Sequence, residues 1–206
     1  MFKFLSIDTE TTGLSEDSYI VEFAAVPVDV QKREIKKDMA FHTYIKCPSF
    51  EDLSPVLSPF ARENNKSLID TAHEKGIGLE EFKQDLSNYL ESRDIQTYFG
   101  GERDKPAKPM ILGKSLSALD MPLLSRDLGW DFMRKMFHHQ NLDITTVALD
   151  AIVLGILPPE CSSSRKLAAL LLEKNDVDHT AVEDSIDVAK MYFSILDRKL
   201  KSLDKK

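Results

Sequence analysis

Cysteine is scarce in this chain, with only Cys47 and Cys161 among 206 residues. That excludes a disulfide framework, and two buried thiols in a reducing cytoplasm are expected rather than one bridge. Long apolar runs are missing as well, and none approaches the ~18 residues needed to cross a bilayer. The N-terminus lacks a basic stretch followed by an apolar core, so no secretory leader and no membrane association are expected. Internal repeats and low-complexity segments are absent. Positive charge is in deficit, 27 Lys and Arg against 34 Asp and Glu, a net −7. This excludes a long, non-specific electrostatic grip on nucleic acid. It does not exclude chemistry on a few nucleotides at one end, because a pocket of clustered carboxylates would itself add to the acidic count. A hydrophobic content of 42% excludes wholesale disorder, and the length suits one sizeable domain with room for an insertion.

The first ~50 residues read as strands. KFLSIDTE is one, bounded by Gly13 and the polar run Ser15 to Ser18; IVEFAAVPVDV is a second; after the charged turn QKRE, DMAFHTYIKC is a third. Such close spacing predicts an antiparallel meander. Between 51 and 92 the pattern becomes helical: Leu79, Phe82, Leu86 and Leu90 form one stripe, read as core packing. GGERDKPAKP is a charged loop, PMILG a short buried strand, and LSALDMPLLSRDLGW a helix in which Pro122 fits only the first turn. Helical segments follow: NLDITTVALDAIVLGI, SSSRKLAALLLEKN and HTAVEDSIDVAKMYFSILDRKLKSL. Early strands, one middle strand and late helices predict a mixed α/β domain.

Four acids stand out by their setting. Asp8 and Glu10 end an apolar strand, and at i, i+2 they share one face. Asp120 follows another apolar strand, and Asp184 lies in the last amphipathic helix. A charge among apolar neighbours is costly unless it is paired or bound to metal. Hard oxygen donors suit Mg²⁺ or Mn²⁺, and two such ions can activate a water and stabilise a leaving oxygen in phosphodiester cleavage. The plainer reading of each is a turn former or a helix cap. Glu183 and Asp187 compete with Asp184; Asp187 shares its face at i+3, and spacing leaves that choice open. His179 supplies a proton acceptor. Placed in the lead-in to the last helix rather than within it, its imidazole could work with Asp184 near neutral pH, although a solvated or capping histidine is the plainer reading.

IDTETTGL at 7 to 14, LGKSLSALDMPLL at 112 to 124 and HTAVED at 179 to 184 resemble the three motifs of the DEDDh (DnaQ-like, ribonuclease T-like) 3′-to-5′ exonucleases. The first and third are specific, the second looser. The resemblance implies a ribonuclease H-like α/β fold: a central mixed sheet of five strands, three antiparallel at the N-terminus and later ones parallel, flanked by helices. It implies a single exonuclease domain over 1–206 with a helical and loop insertion around 51–109. It further implies that Asp8, Glu10, Asp120 and Asp184 hold two Mg²⁺ (or Mn²⁺) ions, that His179 is the general base, and that Asp184 rather than Asp187 is the ligand. Thr11, Thr12, Gly13 and Leu14 would flank the terminal nucleotide, with Leu14 as an apolar wedge against a base of any identity. Ser115 would contact substrate, although Ser115 and Leu119 stand where relatives commonly carry Asn and an aromatic.

The expectation is therefore a metal-dependent 3′-to-5′ exonuclease acting on single-stranded or short DNA or RNA and releasing nucleoside 5′-monophosphates. The alternative, from another class, is a non-catalytic module that keeps the fold and binds a replication or RNA-processing partner. Arg103, Lys105 and Lys108 are read as a solvated set, with phosphate contact as the alternative. A homodimer or a polymerase partner stays open, because burial within one chain explains the apolar C-terminal helices equally well.

Overall fold

The computed structural model describes residues 2–172 and 180–204. In chain order it contains β1 (Lys3–Thr11), β2 (Ile20–Asp29), β3 (Glu34–Ile35), β4 (Phe41–Tyr44), α1 (Phe50–Leu53), α2 (Pro59–Asn64), α3 (Lys66–Lys75), α4 (Leu79–Glu91) and α5 (Arg93–Phe99). There follow β5 (Met110–Gly113), α6 (Asp120–Leu128), α7 (Trp130–Met136), β6 (Asn141–Asp143), α8 (Ile144–Val153), α9 (Ser164–Leu172) and α10 (Ala181–Leu203). The strands form one mixed sheet in the order β3-β2-β1-β5-β6, with β4 also pairing with β2. β1 to β4 are antiparallel, and β5 and β6 run parallel to β1.

The expected mixed sheet is present, with six strands rather than five. The extra one is the two-residue β3, formed where the sequence reads as the turn QKRE. β6 was also hidden, because its three residues open a segment whose apolar spacing is helical. Strands this short owe their existence to a waiting partner edge, not to any pattern of their own.

Alternation along β1 sorts the layers. Leu5 and Ile7 face one core, shared with Phe82, Leu86 and Leu90 of α4 and with Leu123, Leu124 and Leu128 of α6. Phe4 faces the other core, shared with Ile144 of α8, Leu167 of α9 and Val188 and Ile195 of α10. Of the predicted α4 stripe, Phe82, Leu86 and Leu90 are at most 1% exposed, whereas Leu79, the first residue of the helix, is 36% exposed. The spacing is right, but at the helix start it overshoots the edge of the core. Cys47 and Cys161 are buried free thiols, as expected. Among the described residues no helix is long and apolar enough to cross a membrane.

Local chemistry fixes the helix starts that matter for function. The Thr180 hydroxyl accepts from the Glu183 amide and caps α10, the T-x-x-E pattern of a capping box. Asp143 caps α8 by accepting from the Thr145 amide, and the same oxygen accepts from the Ser115 amide. Ser115 has φ +56°, so the turn leading to α6 passes through left-handed backbone and is held by that carboxylate.

From these packing positions, Phe82→Ala is expected to lower unfolding free energy by about 3–5 kcal/mol. Leu79→Ala should change it by less than about 0.5 kcal/mol. Urea denaturation of both variants checks the contrast, and equal losses would contradict the described core.

Candidate metal centre

Ser6, Asp8 and Glu10 lie on the face of β1 turned toward α10, opposite Val26, Ala24 and Glu22 of β2. Ala24 leaves space beside Asp8. Beyond Glu10 the register slips, so that Thr11 faces Ile20. The skipped residue is Val21, so the bulge lies in β2 and its kink falls opposite the end of β1 that carries the acids, a common device beside a functional site. From the other side, the Ser6 hydroxyl donates to the Ser185 carbonyl at 2.7 Å, while the Ser185 hydroxyl donates to the Ala181 carbonyl. Both serines are fully buried. The first turn of α10 is thereby pinned to β1, and Asp184 is brought over Asp8 and Glu10.

One carboxylate oxygen from each of Asp8, Glu10 and Asp184 lies within 4.8 Å of the other two. Asp120 comes from the opposite layer, at the start of α6, and its carboxylate accepts a 2.7 Å hydrogen bond from the Thr9 hydroxyl. It falls outside that trio but is near enough to act electrostatically on Asp8. Three of the four predicted acids thus converge closely, with the fourth beside them. Asp187 is buried and bonded to Lys190 at 2.8 Å, which commits it elsewhere and leaves Asp184 as the acid facing the cluster. The sequence-predicted His179 lies outside the described residues.

The electrostatics report crowding. Burial, then the charges of Asp120, Asp184 and Glu10, push Asp8 well above the usual carboxylate range. Glu10 is pushed up to about 7, by burial first and then by Asp184 and Glu22. Asp120 is raised by burial, against which the Thr9 hydroxyl and backbone amides favour its ionised form. Lys114, just past β5, lowers all three. Carboxylates held this close in a half-buried site favour a cation between them. The donor set is all hard oxygen, which fits Mg²⁺ or Mn²⁺ rather than a thiolate- or imidazole-seeking metal.

The remaining predicted residues form the rim. Thr11 and Thr12 are buried and serve the backbone: the Thr11 hydroxyl donates to the Gly13 carbonyl, and Thr12 accepts from the Tyr19 amide. A Cβ at Gly13 would sit 3.0 Å from the Ser18 hydroxyl oxygen, so the loop closes tightly there. Leu14 is 88% exposed, an apolar side chain projecting from this rim. The Ser115 hydroxyl lies 3.1 Å from that of Thr145, engaged within the protein. Leu119 is partly buried against the core beneath α6.

Sequence reasoning missed two features. Lys114 supplies the positive countercharge from inside the second motif. Glu22, 1% exposed, faces Glu10 and is bonded to His42 at 2.6 Å. A lone acid inside IVEFAAV was the available signal for the latter, by the same logic that singled out Asp8.

A mixed sheet with acids from β1 and α10 gathered at one end of it defines a ribonuclease H-like α/β protein. Residues 5–90 match the family model described as Exonuclease (RNase_T). No curated protein matches the sequence. The fold is shared with the cell-death related nuclease 4 (CRN-4) at TM-score 0.63 and 17% identity, over 95% of this chain and 64% of that one. It is shared with E. coli exonuclease I in complex with a dA16 oligonucleotide at TM-score 0.68 and 18% identity, over 100% of this chain and 43% of that one. The nuclease domain of 3′hExo, a DEDDh family member bound to rAMP, aligns at TM-score 0.62 and 14% identity, over 95% of this chain and 92% of that one. The chain thus spans less than two thirds of the first two proteins. The match over residues 5–90 and the shared fold together bear out the resemblance to exonucleases.

The raised carboxyls give a pH dependence with a definite sign. Glu10 moves from its usual 4.5 to about 7 on folding, so between those values the folded chain holds more protons than the unfolded one. Metal-free stability is therefore highest below about pH 4.5 as far as this group is concerned, and falls as pH rises through 7. Glu10→Gln should raise metal-free stability at pH 8 by about 1–2 kcal/mol, less than the full shift implies because the site is partly open to water. Mg²⁺ should raise the wild-type melting temperature at pH 8 much more than at pH 5. Calorimetry at both values, with and without Mg²⁺, checks this; a metal response independent of pH would refute it.

Proposed function

We infer that this chain is a nuclease and, more specifically, a metal-dependent 3′-to-5′ exonuclease. Its substrate would be a single-stranded or short DNA or RNA, from which it releases nucleoside 5′-monophosphates. The observation that carries the reading is the convergence of Asp8, Glu10 and Asp184, with Asp120 alongside, on a fold shared with exonucleases. The whole chain is taken as one exonuclease domain, with the helices between 51 and 109 as its insertion. Asp8, Glu10, Asp120 and Asp184 would hold two Mg²⁺ or Mn²⁺ ions. When bound, these supply an activated water and stabilise the departing 3′ oxygen.

The chain's own residues do the rest. His179 takes the proton from the attacking water and, as a neutral imidazole, needs no strong base. Lys114 tempers the repulsion among the acids, so that the site survives without metal but remains attractive to it. The exposed Leu14 rests against the terminal base, a contact that tolerates any sequence. Thr11, Thr12 and Gly13 hold the backbone that presents Leu14. Ser115 acts through the turn it shapes ahead of Asp120. The Glu22–His42 pair holds a second layer behind Glu10 and limits how far that carboxylate can swing.

A 5′-labelled single-stranded oligonucleotide incubated with Mg²⁺ or Mn²⁺ tests the reading. Stepwise shortening from the 3′ end, abolished by EDTA and by Asp8→Ala, is expected. An intact strand under both metals would overturn it in favour of a partner-binding module. His179→Ala should lower kcat by about 10²–10⁴-fold while leaving the Mg²⁺ midpoint nearly unmoved. Equal losses in both would remove His179 from the role of base.

A further inference from the structure

On the other side of Asp120 the structure opens a groove that the catalytic reading leaves unused. It encloses about 820 Å³ between α6, α7 and the β5–β6 edge of the sheet. Its floor is apolar, contributed by Met121, Met133 and Phe137 among others. Its rim is aromatic and cationic: Trp130, Lys108, Arg134, His138 and His139. Trp130 is 64% exposed and is the sole tryptophan of the chain. The rings of His138 and His139 stack on one another at 4.3 Å, and the Lys108 ammonium is held over the groove by the Arg134 carbonyl at 2.8 Å.

Two properties identify the occupant. In a chain of net charge −7, none of the described residues lining this groove is acidic. An anion is therefore favoured here and disfavoured over most of the remaining surface. The exposed planar side chains present faces on which flat aromatic groups stack, whatever their substituents. A polyanion carrying aromatic rings meets both conditions. The groove also adjoins the acidic centre, because Ser117 and Met121 line it while Asp120, between them in the chain, turns toward Thr9.

We propose that this groove binds single-stranded nucleic acid, receiving the part of the strand that lies 5′ of the nucleotides at the acidic centre. The proposal rests on the nuclease reading for the identity of its strand. Trp130 stacks on a base, Lys108 and Arg134 face the phosphates, and the apolar floor accepts bases without distinguishing among them. The acidic centre thus handles the 3′ end with few cations of its own, and the affinity for longer strands comes from the groove.

Trp130 provides its own reporter. Titrating the full Asp8→Asn chain with a 5′-labelled thymidylate dodecamer allows anisotropy to follow binding while tryptophan emission follows the groove. The two signals should share one midpoint, with emission quenched. Trp130→Ala should weaken dodecamer binding about tenfold, an average stacking loss. Trp130→Phe should recover most of it, and the penalty should shrink as the strand is shortened to a dinucleotide. Anisotropy that rises with unchanged emission would overturn the proposal, as would a penalty equal for dodecamer and dinucleotide. An emission change on concentrating the protein alone would instead make the groove a contact between copies or with another protein, and would also overturn it. The underlying nuclease reading fails separately, if the wild-type chain leaves every strand uncut while Trp130 still reports its binding.

Discussion

The repulsion among carboxylates held in a poorly hydrated corner at the end of β1 is the interaction on which the rest depends. Left to themselves, Asp8, Glu10 and Asp184 would separate or take up protons, and the upward shifts of Asp8 and Glu10 express that tendency. The fold resists separation by means that have nothing to do with charge. Two buried serines bond β1 to the first turn of α10, and the apolar side of α10 packs over the sheet behind them. What remains is an electrostatic deficit that a divalent cation is suited to fill. A locally unfavourable arrangement of this kind is what marks the cluster as a candidate site.

The layers of the molecule divide the work around that corner. Alternate residues of β1 look toward different helices, so Asp184 arrives from the α10 side and Asp120 from the α6 side, over the strand end. Asp120 stands apart from the trio for that reason, held by Thr9 rather than by the other acids. The same separation gives α6 two roles. Its first residue belongs to the acidic centre, and Met121, Pro122 and Ser125 after it line a groove of opposite electrostatic character. A substrate that is both anionic and aromatic could thus meet attraction along its length and metal chemistry at its end.

The bulge after Glu10 and the left-handed Ser115 serve this geometry as well. The first puts an extra residue, Val21, into β2 opposite the end of β1 that carries the acids, and the second turns the chain sharply from β5 into the approach to α6. Both are local departures from regular structure beside the site, and the backbone around each is tied down by hydrogen bonds from elsewhere in the molecule: Asn65 bonds the Thr11 carbonyl, and Asp143 accepts from the Ser115 amide.

The first two strands, the α4 stripe, the long last helix and the special standing of Asp8, Glu10 and Asp184 were legible in the residues, because each leaves a periodic or compositional mark within a short window. β3 and β6 were not, since two or three residues carry no period and pair only when an edge is supplied. Leu79 matched the stripe and still reached solvent, because periodicity fixes direction around a helix and says nothing about where the core ends. The choice between Asp184 and Asp187 shows the division most clearly. Both lie on one face of one helix; Lys190, three residues further on, pairs with the second, and only packing turned the first toward β1. By itself the sequence determined which side chains are costly to bury and roughly which elements carry them. Tertiary structure alone decided which of those charges meet, because proximity between residues far apart in the chain is set by how layers stack rather than by any local propensity.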